Sequence, residues 1–136
     1  MFFDNFKITA EAPTATGTTT IDSAAYDMTG FEWIAFIVRL GTPAANNNIR
    51  LQQDTVTGMG AAADLANTLV NDAAKNQHMV MIARPIEGFV RCRVTRGTST
   101  TIDTLVAIQG GTRKLPVTQP TGAVFETHRS NAEGSA

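Results

Sequence analysis

The sequence predicts an all-β fold, an antiparallel β-sandwich that carries an extended C-terminal arm. Between residues 31 and 109 the apolar residues come in strand-length runs separated by Gly, Pro and Asn, which is typical of short antiparallel strands and not of βαβ units. Beyond Gly111 no apolar run is long enough to form a core. We therefore expect residues 1–111 to form the sandwich domain and residues 112–136 to form the arm.

Size and composition exclude several classes of protein. A chain of 136 residues can bury one core without staples. Its net charge of −1 argues against a protein that mainly neutralises nucleic acid phosphates, and its single Cys92 excludes an internal disulfide. The sequence has neither the pattern of a signal peptide nor an apolar run of about 20 residues. We expect no membrane partner, no direct nucleic acid partner and synthesis in a cytosol.

The first strands are short. Residues 3–10 alternate loosely, with Phe6 and Ile8 on one face, and predict a strand that ends before Pro13. Residues 18–21 predict a second strand because three of them are β-branched threonines and the fourth is an isoleucine.

Residues 31–40 give the strongest strand signal. Apolar side chains alternate on both faces of this run, with Trp33 on one face and Phe36 on the other, and glycines bracket it. Apolar residues on both faces predict a central strand that is covered on both sides. A buried helical segment is the alternative interpretation.

Four further runs predict strands, namely 49–53, 78–83, 89–96 and 102–109. In the third of these, Val90, Cys92 and Val94 are expected to face the core. Residues 58–77 are ambiguous because leucines recur at helical spacing among glycines and asparagines, so a loop with a short strand and a single helical turn are both open.

No motif in the chain predicts catalysis, a cofactor or a metal site. The segment 58–63 matches a loose dinucleotide fingerprint, but the position of the expected acidic residue is occupied by the apolar residues 80–82. We interpret His78 as a residue at the start of a strand and His128 as solvated or at an interface. Cys92 is expected to pack as a small apolar residue.

Arginines form the one local cluster of like charge. The cluster comprises Arg84, Arg91, Arg93 and Arg96. Arg91 and Arg93 share a strand face with Phe89, and these three residues are our candidates for a partner contact on the domain. A solvated face, a protein interface and a phosphate contact all remain open for them.

The arm supplies the second candidate contact. Pro116 and Pro120 disfavour helix and regular strand pairing, so the arm should be extended. At about 3.3 Å per residue it could reach roughly 80 Å, well beyond a domain with a radius of gyration of about 13 Å. We expect it to become ordered only against another polypeptide, with disorder as the alternative. The candidate anchors are Leu115, Val117, Val124 and Phe125.

The order of these features resembles a known class of protein. The features are Gly17-Thr18-Thr19-Thr20, the apolar strand after Gly30, Ile49-Arg50-Leu51-Gln52-Gln53-Asp54, Arg91-Cys92-Arg93-Val94-Thr95 and Arg113-Lys114-Leu115-Pro116. They are similar to small virion proteins of tailed bacteriophages, in particular the decoration or cement proteins of phage heads. The resemblance implies a sandwich or jelly roll, a dimer or trimer, and a structural role in which the protein bridges neighbouring major capsid protein subunits on the capsid surface.

Two other functions fit the sequence. The first is a structural component of a phage tail or baseplate, which strand patterns do not distinguish from a head protein. The second is a carbohydrate-binding β-sandwich that uses Trp33, Tyr26 or Phe89 as a stacking platform.

Overall fold

The computed structural model describes residues 2–113 and 115–126, and within them the chain forms two antiparallel sheets packed face to face. The predicted all-β sandwich is confirmed. The elements are α1 (Phe2–Asn5), β1 (Lys7–Ala10), β2 (Thr14–Gly17), β3 (Ile21–Asp22), β4 (Tyr26–Asp27), β5 (Trp33–Leu40), β6 (Asn48–Asp54), β7 (Ala63–Asp64), β8 (Val70–Asn71), β9 (Gln77–Ala83), β10 (Phe89–Thr95) and β11 (Thr100–Gly110).

The strand order is that of a jelly roll. Sheet A has the order β1-β11-β5-β9, with β2 also on β11, and sheet B has the order β3-β10-β6-β7, with β4 on β10 and β8 on β6. The pairs β1/β2, β3/β4 and β7/β8 each line up along one neighbour and fill one strand position. Four positions per sheet remain, and the chain crosses between the sheets from each position to the next except from β6 to β7, which are neighbours in sheet B, as in a double Greek key.

The core lies between the two sheets. β5 contributes Ile34, Phe36 and Val38, all completely buried, and β10 faces them with three residues whose side chains are equally buried, Val90, Cys92 and Val94. The predicted inward face of this strand is therefore correct. Burying each of the larger apolar side chains contributes about 1.5–3 kcal/mol.

The N-terminal strand predictions need correction. Residues 3–5 lie in α1, and the first strand begins only at Lys7. The second predicted strand, 18–21, falls mostly between β2 and β3, because the chain passes there from sheet A to sheet B and cannot pair with either.

The ambiguous segment 58–77 contains no helix. It forms the two-residue strands β7 and β8 at the edge of sheet B, and β9 begins at Gln77. The leucines at helical spacing play different parts: Leu65 packs against the core, while Leu69 is 55% exposed.

β5 is central in its sheet, as expected, but the prediction that both of its faces are covered is wrong. The face toward sheet B is buried, whereas Ala35 and Ile37 on the opposite face are only half-buried. A two-layer sandwich leaves one face of each sheet without a second layer. None of the helices in the described residues is long and apolar enough to cross a membrane.

Candidate interaction surface

The outward side of sheet A carries two rows of apolar side chains across four strands. Directly opposite residues of paired strands share a face, so the strand registers define the rows. The first row is Ile8, Ile108, Ala35 and Met81, and the second is Ala10, Val106, Ile37 and Met79. We call these eight residues the apolar face.

The apolar face is exposed to solvent at β9, the strand of sheet A that lies farthest from β1. Met79 and Met81 are each 59% exposed, and an open depression of about 280 Å³ lies between them and the half-buried Ala35 and Ile37. The solvated side of an antiparallel sheet ordinarily carries polar residues. A contiguous exposed apolar patch is typical of a binding surface.

The apolar face has a polar border at one end and an aromatic border at the other. The next row at the first end is Thr104, Arg39 and Gln77. At the second end the Phe6 ring lies 5.7 Å from that of Trp33. Trp33 in turn rests on Gly110, where any β-carbon would collide with the indole, so glycine is required at that position.

The described part of the arm lies against its own N-terminal segment. The side-chain amide nitrogen of Gln119 donates hydrogen bonds to the carbonyl oxygens of Phe3 and Phe6, at 2.8 and 2.6 Å. Its amide oxygen accepts a bond from the backbone nitrogen of Ile8 at 3.2 Å. The backbone nitrogen of Val117 donates to the carbonyl of Asp4 at 2.9 Å.

These contacts correct the expectation that the arm is ordered only against another polypeptide. The Gln119 side chain forms hydrogen bonds with three backbone groups of the N-terminal segment. A search of the sequence for apolar runs that could form a core does not detect such a polar contact. Nothing in the sequence around Gln119 distinguishes it from an exposed glutamine of an extended segment. Residues 127–136, including His128, lie outside the described residues.

The predicted arm anchors have different environments. The ring of Phe125 lies 5.2 Å from that of Phe3, and Val117 is half-buried. Val124 is 91% exposed and Leu115 is 58% exposed. A cleft of about 370 Å³ separates the segment 119–125 from Ile8 and its β1 neighbours. The arm therefore places further apolar side chains beside the apolar face.

The outward side of sheet B has the opposite chemistry. We call its residues Asp22, Arg50, Gln52, Asp64, Arg91 and Arg93 the charged face. The Arg93 guanidinium binds both carboxylate oxygens of Asp22, at 2.6 and 2.8 Å. The hydrogen bond from Arg93 lowers the pKa of Asp22 against the opposing effect of burial.

The other side chains of the charged face are also paired with one another. Arg91 contacts Asp22 at 3.3 Å and donates a 2.8 Å hydrogen bond to Gln52. Gln52 donates to Asp64 at 2.6 Å, and Arg50 binds the same carboxylate at 3.1 Å. The predicted contact residues Arg91 and Arg93 are therefore engaged within the chain, beside a half-buried Phe89.

The arginine cluster of the sequence is dispersed in the structure. Arg84 follows β9 in sheet A. Arg96 is 7% exposed and donates hydrogen bonds to the carbonyl oxygens of Ala15, Thr19 and Thr100, all within 2.8–2.9 Å. Arg96 thus links the segment after β10 to β2, to the connection between β2 and β3, and to the start of β11. Its charge is used inside the molecule and is not presented to a partner.

The Cys92 thiol and the Tyr26 hydroxyl both lie inside the molecule. Burial raises the pKa of Cys92 to about 12, which keeps the thiol protonated. The hydroxyl of Tyr26 donates to Glu11 at 2.6 Å inside the molecule, and burial together with this carboxylate raises its pKa. A buried Tyr26 cannot serve as a sugar-stacking platform. The described residues contain no group of three potential metal-binding side chains.

The glycine-containing loop after β6 is closed by a carboxylate. Asp54 accepts a hydrogen bond from the backbone nitrogen of Ala61 at 2.9 Å and two more from the nitrogens of Thr55 and Val56. These backbone bonds, led by that from Ala61, lower the pKa of Asp54. The acceptor for the Ala61 amide of the segment 58–63 is therefore a carboxylate of the chain itself.

His78 is more buried than a residue at the start of a strand is expected to be. Its side chain lies on the inward face of β9 opposite Val38 and is 2% exposed.

A comparison of the sequence with models of known protein families and with curated proteins found no match.

Proposed function

We propose that this chain is a structural, non-enzymatic protein of a tailed-bacteriophage particle, namely a head decoration protein that binds the outer capsid surface and bridges neighbouring major capsid protein subunits. The observation that carries the proposal is the apolar face, with eight outward apolar side chains on four strands. The partner is taken from the resemblance of the strand pattern to such proteins.

A binding role is supported by the position of the arm. Phe125 and Val124 lie beside the Ile8 end of the apolar face, while Met79 and Met81 lie at its opposite edge. Since β-strands are spaced by about 4.8 Å, the four strands span roughly 14 Å. The surface is narrow for a single stable interface, which buries about 800 Å² per partner. The arm and the apolar face belong to one chain and so form two linked contacts, and linkage of weak contacts raises avidity by about 10²–10⁴.

The direct test compares two doubly charged variants in a particle-binding assay. Met79→Glu with Met81→Glu places two carboxylates on the apolar face. Asn71→Glu with Thr95→Glu places the same charge on the outward side of sheet B, where both residues flank Asn48. We expect the first variant to lose at least tenfold in affinity for particles that lack the protein, and the second to bind like the original chain.

Equal particle binding by both variants would show that the apolar face does not contact the particle.

The arm is tested separately with Val124→Asp, because this side chain is 91% exposed and its substitution leaves the Gln119 contacts intact. We expect this variant to weaken particle binding by a smaller factor. Unchanged occupancy would show that the arm does not contribute.

The tail or baseplate alternative predicts that the chain is located in the tail of the particle and not in its head. Heads and tails separated by gradient sedimentation and analysed by mass spectrometry distinguish the two. We expect the chain in the head fraction, in a copy number that follows the capsid lattice. Recovery with tails alone would replace the decoration role with the alternative.

A further inference from the structure

β9 is an edge strand of sheet A, and β8 of sheet B lies close to it without pairing with it. β9 pairs with β5 at seven consecutive positions with no register shift. On its other side no strand is hydrogen-bonded to it in the part of the chain that the structure describes. Natural edge strands are usually blunted by proline, charge, a bulge or shortness. The sequence of β9, from Gln77 to Ala83, contains no proline and no Asp, Glu, Lys or Arg.

Hydrogen bonds at the two ends of β9 define which backbone groups face outward. The nitrogen of Leu40 donates to the carbonyl of Asn76 at 2.8 Å, and the nitrogen of Arg84 donates to that of Glu32 at 2.6 Å. Both pairs extend the β5–β9 register. In an antiparallel ladder hydrogen-bonded and non-hydrogen-bonded pairs alternate, so the even-numbered residues of β9 bond to β5. The backbone N–H and C=O groups of the odd-numbered residues point away from it.

We propose that β9 pairs with β9 of a second copy of this chain, antiparallel across a two-fold axis at Val80. This register sets Met79 opposite Met81 of the partner subunit and Gln77 opposite Ala83 of the partner subunit. All four outward-pointing residues then lie in hydrogen-bonded pairs, and at two bonds per pair they form about eight hydrogen bonds. No outward backbone group of the strand remains unpaired.

The chemistry of β9 favours a second copy over an unrelated strand. A two-fold axis places equivalent residues near each other, and like charges directly opposite would be destabilising. β9 carries no such charges. The register also keeps both methionines of each copy on the outward side, so the apolar faces of the two copies become one continuous surface on a sheet of ten strands.

The pairing is tested without any particle, so its outcome is independent of the proposed capsid role. Sedimentation equilibrium of the chain should give a mass of twice 14.5 kDa. Met81→Pro removes an outward N–H while leaving the bonds to β5 in place, because proline is tolerated at the solvent side of an edge strand. We expect Met81→Pro to be monomeric. Met81→Thr keeps the N–H and serves as the matched control, which should remain dimeric.

A disulfide test reports the register and does not depend on proline. Opposite residues of a non-hydrogen-bonded pair have Cα atoms about 4.5 Å apart, which permits a disulfide. Val80→Cys should therefore form a covalent dimer under mild oxidation, whereas Ile82→Cys, opposite His78 of the partner subunit, should not. Cys92 is fully buried and does not compete. A monomeric original chain, a dimer that survives Met81→Pro, or equal cross-linking at both positions would overturn the proposal.

Discussion

The two outward faces of this sandwich are built on the same strand alternation but have opposite chemistry. On the charged face each arginine has a carboxylate or amide partner within the chain, as in the contacts of Arg91 and Arg93 with Asp22. On the apolar face Met79 and Met81 remain 59% exposed. Polar groups can satisfy one another on a single sheet, whereas apolar side chains on a flat sheet leave water only when another surface covers them. This difference is why we propose sheet A as the side that meets a partner.

Arg96 and Arg93 provide the largest expected contrast in stability. Arg96→Ala leaves three carbonyl oxygens without their charged donor in a site that is 7% exposed. We expect a loss of about 3 kcal/mol in the free energy of unfolding. Arg93→Ala should cost less than about 1 kcal/mol because exposed ion pairs contribute little. Urea unfolding measures both, and equal losses would contradict the division between a structural arginine and surface arginines.

Gln119→Ala tests how the arm is held beside the apolar face. The variant removes the side-chain partner of three backbone groups in the N-terminal segment. We expect a loss of about 1 kcal/mol and faster amide hydrogen exchange in residues 115–126. Thr118→Ala, at the exposed neighbouring position, is the control and should leave exchange unchanged. Equal exchange in both variants would show that Gln119 does not hold the arm.

The loss of folding stability at low pH should come mainly from carboxylates of sheet B. Hydrogen bonds lower the pKa of Asp22, mainly from Arg93, and that of Asp64, mainly from Gln52. A lowered folded-state pKa contributes stability that is present above the unfolded-state value of 3.8 and is lost as the pH falls through the folded-state value. Unfolding free energy measured between pH 6 and pH 2 should therefore decline below about pH 4. Asp22→Asn should flatten that decline, and an unaltered slope would contradict the assignment.

Met79→Thr combined with Met81→Thr should have the smallest effect on stability. Both side chains are mostly exposed on the edge strand, so we expect the unfolding free energy to change by less than about 0.5 kcal/mol. Retained stability with weaker particle binding would show that the methionines serve association and not folding. A loss of several kcal/mol would mean that the apolar face is part of the folding core.

The sequence predicts the inner side of the sandwich better than the outer side. Periodicity locates β5, β10 and β11 closely because β-branched and aromatic residues dominate them, and it assigns Val90, Cys92 and Val94 to the core. The same rule makes Ala35 and Ile37 look covered, since periodicity reports that a face is apolar and not what lies on it. It cannot distinguish a second layer from an interface.

Polar anchors were missed for a related reason. Gln119 and Arg96 each form three hydrogen bonds, and five of these six bonds reach segments that are distant in sequence, 111 residues away in the case of Ile8. No local pattern encodes such a pairing. The sequence therefore predicts an arm that depends on another chain, although one glutamine holds its described part against the N-terminal segment.

Methionine oxidation of the free and particle-bound protein tests the central claim most directly. Met79 and Met81 are exposed, whereas Met28 and Met59 are buried and serve as internal controls; oxidation of each to the sulfoxide is quantified by mass spectrometry. Carboxyl labelling of Asp64 reports the charged face in the same samples. We predict that particle binding protects Met79 and Met81 and leaves Asp64 labelled as in the free protein. Protection of Asp64 with unchanged oxidation of the two methionines would contradict the assignment of sheet A as the partner-binding side.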